Sequence, residues 1–225
     1  MDLGHVEQQI IDHPLFQRLK DVIENYPGYH EHESTYDHLL KTARIAKEQI
    51  DGHFIINSQA KEKFLELVNQ KLHGTDLKTI MILTALVHDV GKILLYTEGG
   101  QTKTLAMLDK KGNTPMPGHP FWGGRIVVPE ILKDIELSTG AKQMIADVVK
   151  VHDAYAEGYF INKKNWTLEA IISDIKSGAI GYYEEALFNQ YCDCFESPGF
   201  AQDKKTVEQV FNDPTFYNKR KYILP

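Results

Sequence analysis

Apolar residues recur at helical spacing along most of this chain. In "HPLFQRLKDVIENY" (13–26), Leu15, Leu19, Val22 and Ile23 share one face, and the following Pro-Gly stops the pattern. In "STYDHLLKTARIAKEQI" (34–50) a Ser/Thr cap precedes Leu39, Ala43, Ala46 and Ile50, which predicts a second amphipathic helix. "SQAKEKFLELVNQKLHG" (58–74) predicts a third, closed by a glycine suited to a left-handed cap. "DLKTIMILTALVHDVGK" (76–92) is apolar all round, so it should be the central helix. From 93 to 118 the texture turns to Gly, Thr and Pro. This predicts an irregular loop with room for one small hairpin, "DKKGN" being a turn between short extended pieces. Helical patterns resume over 120–132, 140–156 and 167–187, and "KKTVEQVF" predicts one more short helix in a mixed, polar tail. The fold class that follows is all-α.

A chain of 225 residues suits one mid-sized domain over 1–225, with a helical core at about 28–187 and a C-terminal extension over 188–225. That length buries a core without disulfides or structural metals, so a metal here would be chemical rather than a folding staple. The net charge of −6 argues against binding to duplex nucleic acid and leaves nucleotide-sized ligands open. Cys192 and Cys194, in "YCDCF", are too close for ordinary pairing with each other and read as reduced thiols of a cytoplasmic protein. No basic-then-apolar leader opens the chain, and no apolar run approaches the ~18 residues of a membrane helix.

The chemistry concentrates where the most apolar segment, "LTALV", runs into "HDVGK". A carboxylate just past a helix C-terminus faces the negative end of the helix dipole, so Asp89 requires a nearby cation. Lys92 is one candidate and a metal is another. The adjacent His88 favours the metal, because imidazole plus carboxylate is an ordinary donor set for divalent ions. Adjacent helical residues point about 100° apart, so other helices must complete such a site. Polar residues set into other apolar helical patterns supply candidates: His38, His119 at the start of "HPFWGG", His152 and Asp174.

Taken together, "YHEHESTYDHLLKTARIA", "LTALVHDVGKI", "GHPFWGGRIV", "VVKVHDAY" and "EAIISDIKSGA" resemble the HD-domain superfamily of metal-dependent phosphohydrolases. The likeness is strongest to the HD domains of bacterial CCA-adding tRNA nucleotidyltransferases and to diadenosine tetraphosphate hydrolases, and it spans roughly residues 28–185. It implies a helical bundle around a central site for one or two divalent ions (Fe, Mn, Ni, Zn or Mg). His38, His88, Asp89 and Asp174 would hold the first ion, and His119 and His152 the second, with Asp89 bridging. Asp153 falls outside that ligand pattern, so its pairing with His152 is read as accidental. The spacings from His38 to His88 and from Asp89 to His119 include insertions relative to the pattern.

The activity so implied is hydrolysis of a small phosphoester, nucleotide-like, by metal-activated water. Asp89 and Lys92 would be catalytic, and Lys92 and Arg125 would meet phosphate charge. Two other readings use the same residues. HD-fold di-iron oxygenases resembling myo-inositol oxygenase share the ligand set, and a non-catalytic module could retain the fold to bind a nucleotide.

Overall fold

The computed structural model describes residues 2–26, 28, 30–72, 74–93, 95–98, 101–104, 116, 118–156, 159–178 and 181–217. The architecture is all-α, with three small antiparallel hairpins among the described residues. The chain opens with helix α1 (Leu3–Asp12), capped by Asp2, and α2 (Pro14–Gln17), capped by His13. The helix expected over 13–26 does not persist. A single 3-10 turn (Arg18–Asp21) follows α2, and residues Ile23–Tyr26 form strand β1, paired with β2 (His30–Ser34). Val22 and Ile23 are β-branched, and a short apolar run of this kind serves a strand as well as a helix. Pairing with the 30–34 segment decides the matter.

Helix α3 (Thr35–Gln49) starts where the Ser34 hydroxyl accepts the Asp37 backbone N–H at 3.0 Å, the cap that the sequence predicts. Helix α4 (Ser58–Val68) begins at an Asn57 cap and stops six residues short of the expected glycine. Gly74 instead takes φ 84° between β3 (Lys71–Leu72) and β4 (Thr75–Asp76), where a tight hairpin needs a left-handed residue. Helix α5 (Leu77–Val87) follows, and from Ile80 to Val87 every side chain is buried. It packs against α3, α8 and α10 and is the central helix. Beyond it, His88 and Asp89 lead into a 3-10 turn over Val90–Ile93. Strands β5 (Leu95–Glu98) and β6 (Gln101–Thr104) make a hairpin within the expected loop, while the predicted "DKKGN" turn lies outside the described residues.

The segment expected as one helix over 120–132 is three joined pieces: α6 (His119–Trp122), a π turn (Gly123–Val127) and α7 (Val128–Ile131). Helix α8 (Thr139–Val151), capped by Ser138, runs into a 3-10 turn over His152–Tyr155. The pattern at 167–187 resolves into α9 (Leu168–Ser177) and α10 (Tyr183–Asp193), because Gly178 and Gly181 interrupt it and the apolar phase restarts. Helix α11 (Ala201–Phe211) packs on α9 and α10. One apolar cluster runs through the fold from Val6 to Tyr217.

The π turn has a steric cause. A Cβ on Gly91 would sit 2.0 Å from the His119 carbonyl and 2.8 Å from the Gly123 nitrogen, and one on Gly124 would sit 2.2 Å from the Ala146 carbonyl. Backbone therefore meets backbone on both sides of this segment. That contact sets His119 directly beside the turn that carries Asp89. Replacing Gly91 with Ala should cost about 1–3 kcal/mol through overpacking. The exposed helix-end replacement Gly178→Ala should stay within about 1 kcal/mol of wild type. Urea denaturation of both variants checks this, and an unchanged midpoint for Gly91→Ala would contradict the close approach.

Candidate metal centre

Three helices aim their C-terminal ends at one place. His88 and Asp89 follow α5, His152 and Asp153 follow α8, and Asp193 closes α10. Each end carries the negative pole of its helix, so their convergence favours a cation between them. His38 enters from the first turn of α3 and His119 from the start of α6. His38, His88, Asp89 and His152 are buried, while His119 and Asp193 retain a little exposure.

The imidazoles are oriented by backbone carbonyls. Nδ1 of His88, His119 and His152 lies 2.9, 2.8 and 2.7 Å from the carbonyl oxygens of Ala85, Met116 and Val149, each three residues earlier. A carbonyl only accepts, so Nδ1 carries a proton and Nε2 is the ring atom turned inward, free to donate to a carboxylate when the ring is charged or to offer a lone pair to a metal when it is neutral. The inward nitrogens lie close together: His119 Nε2 is 3.2 Å from His152 Nε2, and His38 Nε2 is 3.4 Å from His88 Nε2.

Carboxylates complete both pairs. Asp89 Oδ1 lies 2.8 Å from His119 Nε2 and 3.2 Å from His152 Nε2. Its other oxygen, Oδ2, lies 3.7 Å from His38 Nε2 and 3.4 Å from His88 Nε2. Asp193 Oδ1 sits 2.8 Å from His38 Nε2 and 3.4 Å from His88 Nε2. Neither Asp89 Oδ1 nor Asp193 Oδ1 has a well-formed hydrogen bond among the described residues, although both are buried. Acceptor atoms packed against acceptor atoms need protons or a metal ion between them, and the donor set suits Zn, Fe, Mn or Ni. The buried His and Asp groups could therefore hold metal ions.

Five of the six ligand residues named from the sequence meet here: His38, His88, Asp89, His119 and His152. Asp174 does not. It lies on α9, where it accepts the Tyr159 hydroxyl at 2.6 Å and pairs with Lys163 at 3.3 Å. Asp193 occupies the place expected of it, in a segment the sequence reading assigned to the extension. The signal that could have found it is weaker than at Asp89: a carboxylate closing a helix, between two cysteines in "YCDCF", on a helix whose sequence is mixed and not apolar. Asp153 is also closer than expected, with Oδ1 3.2 Å from His152 Nε2 and Oδ2 3.6 Å from His119 Nε2.

Lys92 is buried and fully engaged rather than open to a substrate. Its Nζ lies 2.6 Å from Asp89 Oδ2 and 2.6 Å from Glu24, whose other oxygen accepts the Thr35 hydroxyl at 2.7 Å. The β1–β2 hairpin thus reaches the site through Glu24, and Glu33 lies 3.6 Å from His38 Nδ1. Sequence reasoning missed both glutamates, because nothing local marks a strand glutamate as facing the site. Arg125 is exposed on the π turn, its guanidinium 5.5 Å above the Phe121 ring.

Burial alone would lower the His38 imidazole, but Asp193 and Glu33 outweigh it and raise its pKa from 6.5 to about 9. Burial likewise opposes ionisation of Asp89 and Asp193. The Lys92 and His88 charges win at Asp89, those of His88 and His38 win at Asp193, and both carboxylates are held well below their usual range. Compared with known proteins, the chain matches no family model and no curated protein.

In the metal-free fold the proton on His38 is stabilising below the unfolded value near 6.5, and that contribution is lost as pH rises through about 9. An ion must displace this proton, so binding should tighten over the same window. Calorimetric titration with Mn(II) at pH 7, in buffers of differing ionisation heat, should show proton release that fades above pH 9. Asp193→Asn should lower the metal content of the purified protein, whereas Asp174→Asn should leave it unchanged. The reverse pattern would restore Asp174 as the ligand.

Proposed function

We propose that this chain is a metal-dependent phosphohydrolase of the HD type, acting on a small phosphoester such as a nucleotide. The observation that carries the reading is Asp89, whose two oxygens face two separate imidazole pairs. A carboxylate placed in this way suits a shared ligand between neighbouring ions. His38, His88, Asp89 and Asp193 would hold one, and Asp89, His119 and His152 the other. Divalent ions held there would supply Lewis acidity, lowering the pKa of bound water toward neutrality and offsetting phosphate charge.

The remaining work falls to the chain. Backbone carbonyls keep three Nε2 atoms turned inward, and Glu33 stands behind His38. Lys92 fixes Asp89 from the side and is itself fixed by Glu24, so it acts on the substrate through Asp89 and not by touching phosphate. Arg125 remains the exposed cation nearest His119 in sequence and would meet the outer part of a substrate. No helix among the described residues is long and apolar enough to cross a membrane.

The test is hydrolysis of bis(p-nitrophenyl) phosphate and p-nitrophenyl phosphate by protein loaded in turn with Mn, Ni, Zn, Mg and Fe. Turnover should require metal and persist without oxygen. Asp89→Asn should lower it by more than about 100-fold with the helical circular dichroism retained. Oxygen uptake with a polyol or phosphonate, in place of phosphoester cleavage by iron-loaded protein, would transfer the site to the oxygenase reading. Metal-loaded protein that binds nucleotides and turns over nothing would make it a binding module.

A further inference from the structure

We infer that Asp153, which lies outside the HD ligand pattern, is a metal ligand that completes the outer site formed with His119, His152 and Asp89. The inference rests on the reading of this cluster as a metal centre and adds a third carboxylate to it.

The geometry makes the case. Asp153 stands at the end of α8 as Asp89 stands at the end of α5: each follows a histidine whose Nδ1 is bonded to the carbonyl three residues back, and each lies in or just before a 3-10 turn. Its oxygens lie 3.2 Å from His152 Nε2 and 3.6 Å from His119 Nε2. Those two nitrogens are the ring atoms turned toward it, since both Nδ1 protons are committed to the Val149 and Met116 carbonyls. Asp153 and Asp89 Oδ1 crowd the same two imidazole nitrogens, an arrangement that needs positive charge among them and that a metal ion would supply. His119, His152 and Asp153 can offer one ligand atom apiece within 4.8 Å of one another. An ordinary surface carboxylate would pair with Lys or Arg. Among the described residues, the basic groups within 4 Å of Asp153 are these two imidazoles.

Two consequences follow. The outer ion would take two imidazoles and two carboxylates, a donor set suited to Zn or Mn and one that leaves fewer open positions for oxygen chemistry. The Asp153 side chain is also 44% exposed and that of His119 12%, so the outer ion would sit at the mouth of the cluster and exchange more readily than the inner one.

The experiment is titration of the full chain with Mn(II) and Co(II), following stoichiometry and affinity by calorimetry and cobalt coordination by visible absorption. Because Asp153 is half exposed, Asp153→Asn should fold as wild type does, which its metal-free melting temperature checks. The expected result is two ions in the wild type, with Asp153→Asn weakening one at least tenfold and altering the cobalt spectrum. The other ion should be retained and then lost in Asp193→Asn. Asp153→Asn with wild-type stoichiometry, affinity and spectrum would overturn the inference while leaving the metal reading intact. A wild-type protein that binds neither ion would overturn both.

Discussion

The structure depends on keeping one carboxylate ionised in a place hostile to it. Asp89 is buried, lies at the negative end of the most apolar helix, and faces four imidazole nitrogens. An isolated buried charge of this kind costs several kcal/mol, and each feature around it supplies positive charge or a fixed dipole in return. Lys92 contributes one cation from the following turn. The hairpin β1–β2 then has to place Glu24 against Lys92, because a lysine shared between two carboxylates is held rigidly where a single partner would let it swing. The segment that failed to be helix after Asp21 is therefore the one that braces the centre.

Delivery of His119 shows how backbone shape becomes chemistry. A histidine on a loop would sample many positions, and a metal site tolerates few. Here Gly91 and Gly123 bring two backbones into direct contact, so the turn holding Asp89 and the start of α6 move as one piece. The π turn after Trp122 is the geometric outcome, since Gly124 must also clear the Ala146 carbonyl on α8. Irregular helical turns of this sort recur at functional sites because they re-aim one residue without dissolving the helix.

Much of this was legible in the sequence, and the failures have a common physical cause. The central helix and the cap at Ser34 follow from apolar periodicity and capping chemistry; His38, His88, Asp89, His119 and His152 stand out as polar residues within those patterns, and their meeting at one site is what the resemblance implied. The Ile23–Tyr26 strand and the break between α9 and α10 were missed because periodicity alone does not separate short strands from helices or register a change of phase across glycines. The exchange of Asp174 for Asp193 is of another kind. Both are carboxylates on helices that pack into the core, but Asp174 lies three residues before the end of α9 and finds a tyrosine and a lysine, whereas Asp193 ends α10. Resemblance selected the first; helix electrostatics selects the second.

That distinction bears on how substrate charge is met. A lysine three residues beyond the HD pair invites assignment as a phosphate ligand, yet Lys92 has two carboxylates at 2.6 Å and almost no exposed surface. Releasing it toward a phosphate would strip both Asp89 and the buried Glu24 of the cation they share. The lysine can serve Asp89 or the substrate, and the geometry commits it to Asp89. On the proposed phosphohydrolase reading, the negative charge of a substrate would fall to the metal ions the cluster could hold, with Arg125 the exposed cation that follows His119. A third carboxylate at the mouth would be tolerable only if metal charge already exceeds that of the ligands, which ties the role of Asp153 to the occupancy of the site it borders.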